Sequence, residues 1–457
     1  MAQPNSVKVI KVCRVTPFKG SPDSAPPEDQ YLLSLTFYDL IWLRFPTIQR
    51  IFFFQTPSCP NSILPNLKTS LSYTLKHFLP LAGNLTWPQD SSTPVFGYAK
   101  GDTVSLTIAK YSNPEDFHHL SGSQFIEAEK YHPLVPQLEA SAPIALQVTL
   151  FPNNGFSIGT VMHHAVMDGK SYTSFIKSWA HVCKHIVESG SSCTISLPQQ
   201  LEPFYDRTVV RDQAGLAELY SSHYLNDHGP NNRSVTPSLH SIMDVKPDSI
   251  RGTFELTREK IQALREHVVK TVKAFDSSSL HLSTFSLTCA FCWVCSVKAQ
   301  EIKGGKTALI FAMDARARLD PPIPATYFGN CVVGGVAVAE TKELVGDDGL
   351  VVALSAITEA FTSLIKKGVL NGAESWMSNF IDFSLYERVF SVAGSPRFEV
   401  YDTDFGWGRP KRTEVVSIDK TGAISLSASR NGGGAVEVGL VLDKQYMKTF
   451  ATLCDAI

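Results

Sequence analysis

The segment Phe156–Ala180, FSIGTVMHHAVMDGKSYTSFIKSWA, decides how this chain of 457 residues is read. It opens on a run whose alternate positions, Phe156, Ile158, Thr160 and Met162, mark one face of a strand. It closes on a run in which Tyr172, Phe175, Ile176 and Trp179, followed by Val182, share one face of a helix. Between them lies His163-His164-Ala165-Val166-Met167-Asp168-Gly169, a turn carrying two imidazoles and a carboxylate. A strand leading directly into an amphipathic helix points to an α/β protein. The end of a strand fixes side chains while leaving them reachable by substrate. A histidine there, titrating near neutrality, suits removal of a proton from a hydroxyl. Asp168, four positions past His164, can hold the loop or orient the ring. A plainer reading stays open, in which one histidine closes the turn and Asp168 caps the helix.

Working outward, Ile144–Phe151 and Phe156–His163 form a predicted hairpin around Pro152-Asn153-Asn154-Gly155. Val7–Val15 alternates as a strand and ends at the Pro-, Gly- and Ser-rich stretch Pro17 to Pro27. Leu67–Leu79 has helical spacing, stops at Pro80 and leads into a turn at Ala82-Gly83-Asn84. Residues 188–240 lose periodicity and read as a crossover, with local helix near Leu216–Tyr220. Farther on, Thr257–Thr271 and Leu282–Val297 read as helices, the second capped by Ser283 or Thr284. Thr307–Met313, Asn330–Ala339, Ala423–Ala428 and Ala435–Leu442 read as strands, with Gly432-Gly433-Gly434 turning between the last two. The expectation is an α/β (α+β) protein of two lobes. Residues 1–190 carry the histidine motif, 191–240 cross over, and 241–457 form the second lobe.

Composition narrows the function classes. Net charge is −2, from 41 basic and 43 acidic residues, so nucleic acid is not an expected partner. The first fifteen residues lack the apolar run of a signal peptide, and no stretch supplies the roughly 18 unbroken apolar residues of a membrane span. Nine cysteines at irregular spacing suggest a reduced, cytoplasmic chain, which makes the sequons at Asn84 and Asn232 chance matches. Gly155-Phe156-Ser157-Ile158-Gly159 matches G-x-S-x-G, but it enters a strand rather than turning from strand to helix, which disfavours a serine esterase. Dinucleotide and P-loop signatures are absent. Cys289, Cys292 and Cys295 sit in an apolar helical run and read as core thiols, and His118-His119 reads as surface. No metal site is expected, since no third ligand stands near the histidines.

A second motif is Asp404-Phe405-Gly406-Trp407-Gly408-Arg409-Pro410. Two glycines around a tryptophan imply a tight turn or a close backbone approach. Either the loop is structural, with Asp404 pairing an arginine such as Arg316 or Arg318, or it borders a ligand. Taken alone, these residues describe a two-lobed protein with a candidate histidine base.

HHAVMDG and DFGWG together resemble the plant BAHD family of CoA-dependent acyltransferases. Further matches are LTFYDLIWL at 35–43, LKHFLPLAGNL at 75–85, DARARLDPPIPATYFGNC at 314–331 and SRNGGGAVEVGL at 429–440. YFGNC and LAGNLTWP are similar to the subgroup of phenolic glucoside and anthocyanin malonyltransferases. The resemblance implies two chloramphenicol-acetyltransferase-like domains, each a mixed sheet with flanking helices, and a channel between them. His164 would be the general base in that channel, with Asp168 turned away and stabilising the loop. The loop of Asp404, Phe405, Gly406, Trp407 and Gly408 would be mainly structural, with the Trp407 N–H a minor candidate for oxyanion binding.

Malonyl-CoA would be a co-substrate, with no permanently bound cofactor, and the acceptor the glucose 6-hydroxyl of a phenolic or flavonoid glucoside. A malonyl donor brings a carboxylate needing a cation, for which Lys170 and Arg430 are candidates. The resemblance also implies a monomer. Two alternatives stay open: a hydroxycinnamoyl-CoA-dependent transferase of the same fold, and a non-catalytic glucoside-binding protein.

Overall fold

The computed structural model describes residues 6–18, 30–56, 60–190, 195–227, 229–237, 248–272, 280–379 and 385–456. Two large mixed sheets carry the architecture. The first has six strands in the order Val7–Val15, Val104–Tyr111, Ile144–Phe151, Gly155–Met162, Ile48–Gln55 and Arg412–Val415. The second has seven, in the order Val332–Glu340, Lys306–Asp314, Arg388–Gly394, Ile424–Ala428, Val436–Asp443, Ser249–Leu256 and Phe125–Glu127. Each sheet therefore takes its last strand from the other's stretch of chain. An exchanged strand covers an edge that would otherwise present unpaired backbone groups, so the two sheets are interlocked.

The hairpin at the centre of the first sheet forms as its sequence predicts. Ile144–Phe151 and Gly155–Met162 pair antiparallel from Ile144 opposite Met162 to Phe151 opposite Gly155. Asn153 turns the corner at φ 66°, a left-handed conformation that asparagine tolerates. Every residue of both strands is buried, because helices Pro60–His77 and Gly169–Ser189 cover one face and a second apolar cluster around Phe53, Phe117 and Leu134 fills the other. Ser157 is buried within this strand and makes no hydrogen bond, which removes it as a nucleophile.

On the second sheet, helix Thr284–Ala299 is apolar on all sides and capped by Ser283, whose side chain accepts from the Ser286 N–H. Cys289, Cys292 and Cys295 are core thiols whose pKa values burial pushes upward. Helix Gly349–Lys366 is long and apolar enough to cross a membrane by length and composition. Here it lays Leu350, Ala353, Leu354 and Ile357 into the core of the second sheet.

The crossover is more ordered than its composition suggests. Phe204 donates its N–H to Thr326 at 2.9 Å and accepts from Phe328 at 2.9 Å. Tyr205, Tyr220 and Tyr224 donate their hydroxyls to the carbonyls of His77, Ala373 and Ile41. Arg44 is bonded to Asp227 at 2.8 Å. The segment is thus stitched to both stretches by polar bonds, which leave no apolar period to read. The Pro17–Pro27 connector falls largely outside the described residues.

Candidate active site

The two adjacent histidines have opposite fates. His163 is fully buried, accepts from the Ala165 N–H at Nδ1 (3.2 Å) and approaches the Val235 carbonyl at Nε2 (2.8 Å). One accepting and one donating nitrogen describe a neutral ring with both positions in use. His164 turns the other way. Its ring stacks on Trp42 at 4.0 Å and 7°, and Phe45 meets it edge-on at 5.8 Å. Its Nδ1 is buried without a hydrogen-bond partner, while Nε2 is unbonded and accessible. Burial lowers the His164 pKa to about 4, against opposing contributions from its own carbonyl, Asp168 and the Asn330 side chain. The imidazole is therefore neutral at physiological pH, with one nitrogen free to take a proton.

Asp168 does not bond the ring. Its Oδ1 caps helix Gly169–Ser189 through the Ser171 N–H at 2.9 Å, as the plainer reading of the turn expects. Its Oδ2 accepts from the Cys331 N–H at 3.1 Å and meets Arg316 at 2.8 Å. Arg316 continues to Asp314 at 3.0 Å, to the Tyr327 carbonyl at 3.1 Å and to the Gly329 carbonyl at 3.0 Å. It thereby clamps the histidine turn to the YFGNC segment, Tyr327–Cys331. The expectation that Asp404 pairs Arg316 or Arg318 is incorrect. Arg316 is committed to Asp168, and Arg318 donates to the Asp314 carbonyl.

Asn330 completes the frame. Its amide donates to the His164 carbonyl at 2.9 Å and to Asp39 at 3.1 Å. Asp39, wholly buried, also accepts from the Asn330 N–H at 2.8 Å and closes a capping box with Thr36. Its remaining charge faces Arg207 at 3.5 Å. Asp39, Asn330 and Trp42 all lie inside quoted motifs, yet nothing in their spacing marks them as a support for His164. Their proximity arises only from the fold.

The DFGWG loop lies elsewhere. Asp404 Oδ1 accepts from the N–H groups of Gly406 and Gly408 at 2.8 and 2.9 Å, and Oδ2 meets Lys184 at 2.8 Å. Phe405 is buried edge-on against Trp179 and Phe54. Gly406, at φ 101°, would drive a β-carbon to 2.8 Å from Val187. Trp407 packs edge-on against Phe156, at the opposite end of the strand from His164. The six strand steps from Phe156 to Met162 span about 20 Å, which removes the Trp407 indole from the oxyanion.

The carboxylate candidates separate as well. Lys170 is ion-paired with Asp314 at 3.0 Å and half-exposed. Arg430 is exposed on the Gly432–Gly434 hairpin and its charge acts on Lys411. The Lys411 ammonium lies over Phe117, which packs at Gly155, again at the end of the strand remote from His164.

The pattern of the Transferase family matches residues 7–456. Phenolic glucoside malonyltransferase 1 of Arabidopsis thaliana is 39% identical over 98% of this chain and 97% of that protein. The malonyl-CoA:anthocyanidin 5-O-glucoside-6''-O-malonyltransferase of the same plant is 36% identical, with 98% of each chain covered. Agmatine coumaroyltransferase, also from Arabidopsis thaliana, matches at 36% with the same coverage. The crystal structure of vinorine synthase superposes with a TM-score of 0.66 at 21% identity, covering 97% of this chain and 96% of its own. The chain belongs to the Transferase family, the BAHD acyltransferases, and is an acyl-CoA-dependent acyltransferase.

Proposed function

We propose that this protein transfers a malonyl group from malonyl-CoA to a sugar hydroxyl, the glucose 6-hydroxyl, of phenolic or flavonoid glucosides. The single observation that carries the mechanism is the His164 imidazole, neutral and stacked on Trp42, with Nε2 unbonded and accessible. The donor and acceptor are supported by near full-length similarity to two glucoside malonyltransferases.

In the proposed reaction both substrates are bound together, in a channel between the two sheets. His164 Nε2 takes the hydroxyl proton as that oxygen attacks the thioester carbonyl. The C–S bond then breaks, and the imidazolium returns the proton to the departing thiolate. A sugar hydroxyl is a far weaker acid than imidazolium, so proton transfer accompanies C–O bond formation and positioning supplies much of the rate. Asp168 serves through the loop, holding the turn that presents the ring. No acyl-enzyme forms. The protein is taken to act as a cytosolic monomer.

A second reading has its own support. The similarity to agmatine coumaroyltransferase shows that sequences this close also use an aromatic donor. One experiment separates the two. Purified protein receives malonyl-CoA, acetyl-CoA and coumaroyl-CoA with a mixture of phenolic and flavonoid glucosides, and products are weighed by mass spectrometry. A malonyl gain on a glucoside, lost in His164→Ala, is expected. A coumaroyl gain instead overturns the donor.

A further inference from the structure

Buried arginines in this protein come with carboxylates, with one exception. Arg44 meets Asp227 at 2.8 Å, Arg251 meets Glu414 at 3.6 Å, Arg316 meets Asp168 at 2.8 Å and Arg412 meets Glu414 at 2.7 Å. Arg50 is only 7% exposed, yet its side chain makes no hydrogen bond and no ion pair among the described residues. Its guanidinium lies 5.8 Å from the centre of the Tyr172 ring. Its Nη2 is 3.7 Å from the point where a β-carbon on Gly394 would stand. None of its side-chain nitrogens is sealed from solvent, and the group lies between the first sheet and the end of strand Arg388–Gly394. Burial lowers the Arg50 pKa, and Tyr172, Glu414 and Tyr401 act against that fall without bonding the group. An arginine stays charged in such a setting, and a buried charge without a partner is costly. With no partner among the described residues, the group is suited to an anion from outside the chain.

Its position selects which anion. Arg50 pairs in register with Thr160, and directly opposed side chains share a face of the sheet. Thr160 and Met162 follow one another on that face, and the chain enters the turn that carries His164 directly after Met162. Four positions separate Thr160 from His164, at most about 13 Å of chain. A malonyl thioester whose carbonyl is attacked beside His164 carries its carboxylate two carbons away, toward the long side chains of the neighbouring strand. A planar guanidinium binds a carboxylate through two parallel hydrogen bonds.

We propose that Arg50 binds the free carboxylate of the malonyl donor and so sets the preference for malonyl-CoA over acetyl-CoA. This inference rests on the malonyl reading given above. Coenzyme A phosphates are a second source of anionic charge. Acetyl-CoA has the same phosphates and lacks the carboxylate, so comparing the two donors separates the sources.

The test is steady-state kinetics of wild type, Arg50→Gln and Arg50→Lys with each donor at a fixed glucoside. Arg50→Gln is expected to lower kcat/KM for malonyl-CoA about 100-fold or more while sparing acetyl-CoA. Arg50→Lys should recover part of the loss. Equal loss with both donors, or no loss, overturns the role. A measurement on unaltered protein avoids dependence on folding of the variants. Phenylglyoxal labelling, read by peptide mass spectrometry, should modify Arg50 in free enzyme and be blocked by malonyl-CoA but not by acetyl-CoA. Equal protection by both donors, or an Arg50 that never reacts, overturns the inference. Wild type that uses coumaroyl-CoA and not malonyl-CoA removes the malonyl reading and this inference with it. Wild type that prefers malonyl-CoA while Arg50→Gln loses both donors equally removes the inference alone.

Discussion

The two motif loops pack at opposite ends of one helix, and their hydrogen bonding differs completely. At the N-terminal end of Gly169–Ser189, the HHAVMDG turn leaves the His164 ring with an orphaned Nδ1 and an open Nε2. Toward the C-terminal end, the DFGWG loop spends both oxygens of Asp404 on Gly406, Gly408 and Lys184, and buries Phe405 between aromatic rings. Both loops are rich in the residue types that do chemistry, but only one retains unspent polarity. Buried polar groups are normally satisfied, so an unsatisfied one calls for an explanation, and at His164 the open Nε2 beside it supplies one. The same contrast separates His163 from His164, and Arg50 from the other buried arginines.

The contrast predicts a ranking of effects. Replacing His164 by Ala should lower kcat by about 10²- to 10⁴-fold, the usual worth of a general base, with little change in the thermal midpoint. A matching fall in the midpoint would make the ring a packing element of the Trp42 stack instead. Arg316→Met should act through the fold. It leaves Asp168 buried without its cation, which costs about 3–5 kcal/mol and shows as a lower urea midpoint. Full stability with a selective loss of kcat would show that the clamp tunes the base directly.

The large elements were legible because hydrophobic period is local. The helix after Asp168, the hairpin at Asn153 and the helix capped by Ser283 all lie close to their predicted bounds. Exchanged strands were not legible. Phe125–Glu127 and Arg412–Val415 have three and four residues, too few to carry a period of two, and their partners lie more than a hundred residues away. Ile48–Gln55 was missed for another reason. It is covered on both faces, and its apolar residues Ile51, Phe52, Phe53 and Phe54 form a short unbroken run with no alternation to read. At the site, the sequence singled out His164 and Asp168 but gave no means of ranking His163 below His164. That ranking comes from Val235 and Ala165, which occupy one ring and leave the other free. Asn330 reaches His164 across 166 residues, a separation that no spacing rule covers.

The two histidines also predict a pH response of moderate size. Burial lowers both pKa values to about 4, while the unfolded chain titrates near 6.5. Between those values the unfolded state binds protons that the folded state refuses. Stability is therefore full above about pH 6.5 and falls as pH drops toward 4. Urea midpoints at pH 7 and pH 5 should differ in that direction, with a smaller difference in His163→Gln. A midpoint that rises on acidification would contradict the buried, neutral state of both rings. Turnover should stay level down to about pH 5, below which His164 gains its proton.

The smallest expected effect tests the silent half of the comparison. Trp407→Phe keeps an aromatic edge against Phe156 and removes only the indole N–H. If the DFGWG loop is a structural brace at the other end of a strand about 20 Å long, kcat should stay within about twofold of wild type. Stability should fall by less than about 1 kcal/mol, as for the loss of part of an aromatic contact. The readout is kcat beside the thermal midpoint on one preparation. A large loss of kcat at an unchanged midpoint would place the indole at the reacting carbonyl and erase the distinction between the two loops. A proportionate loss of both would keep the brace and enlarge its share of the stability.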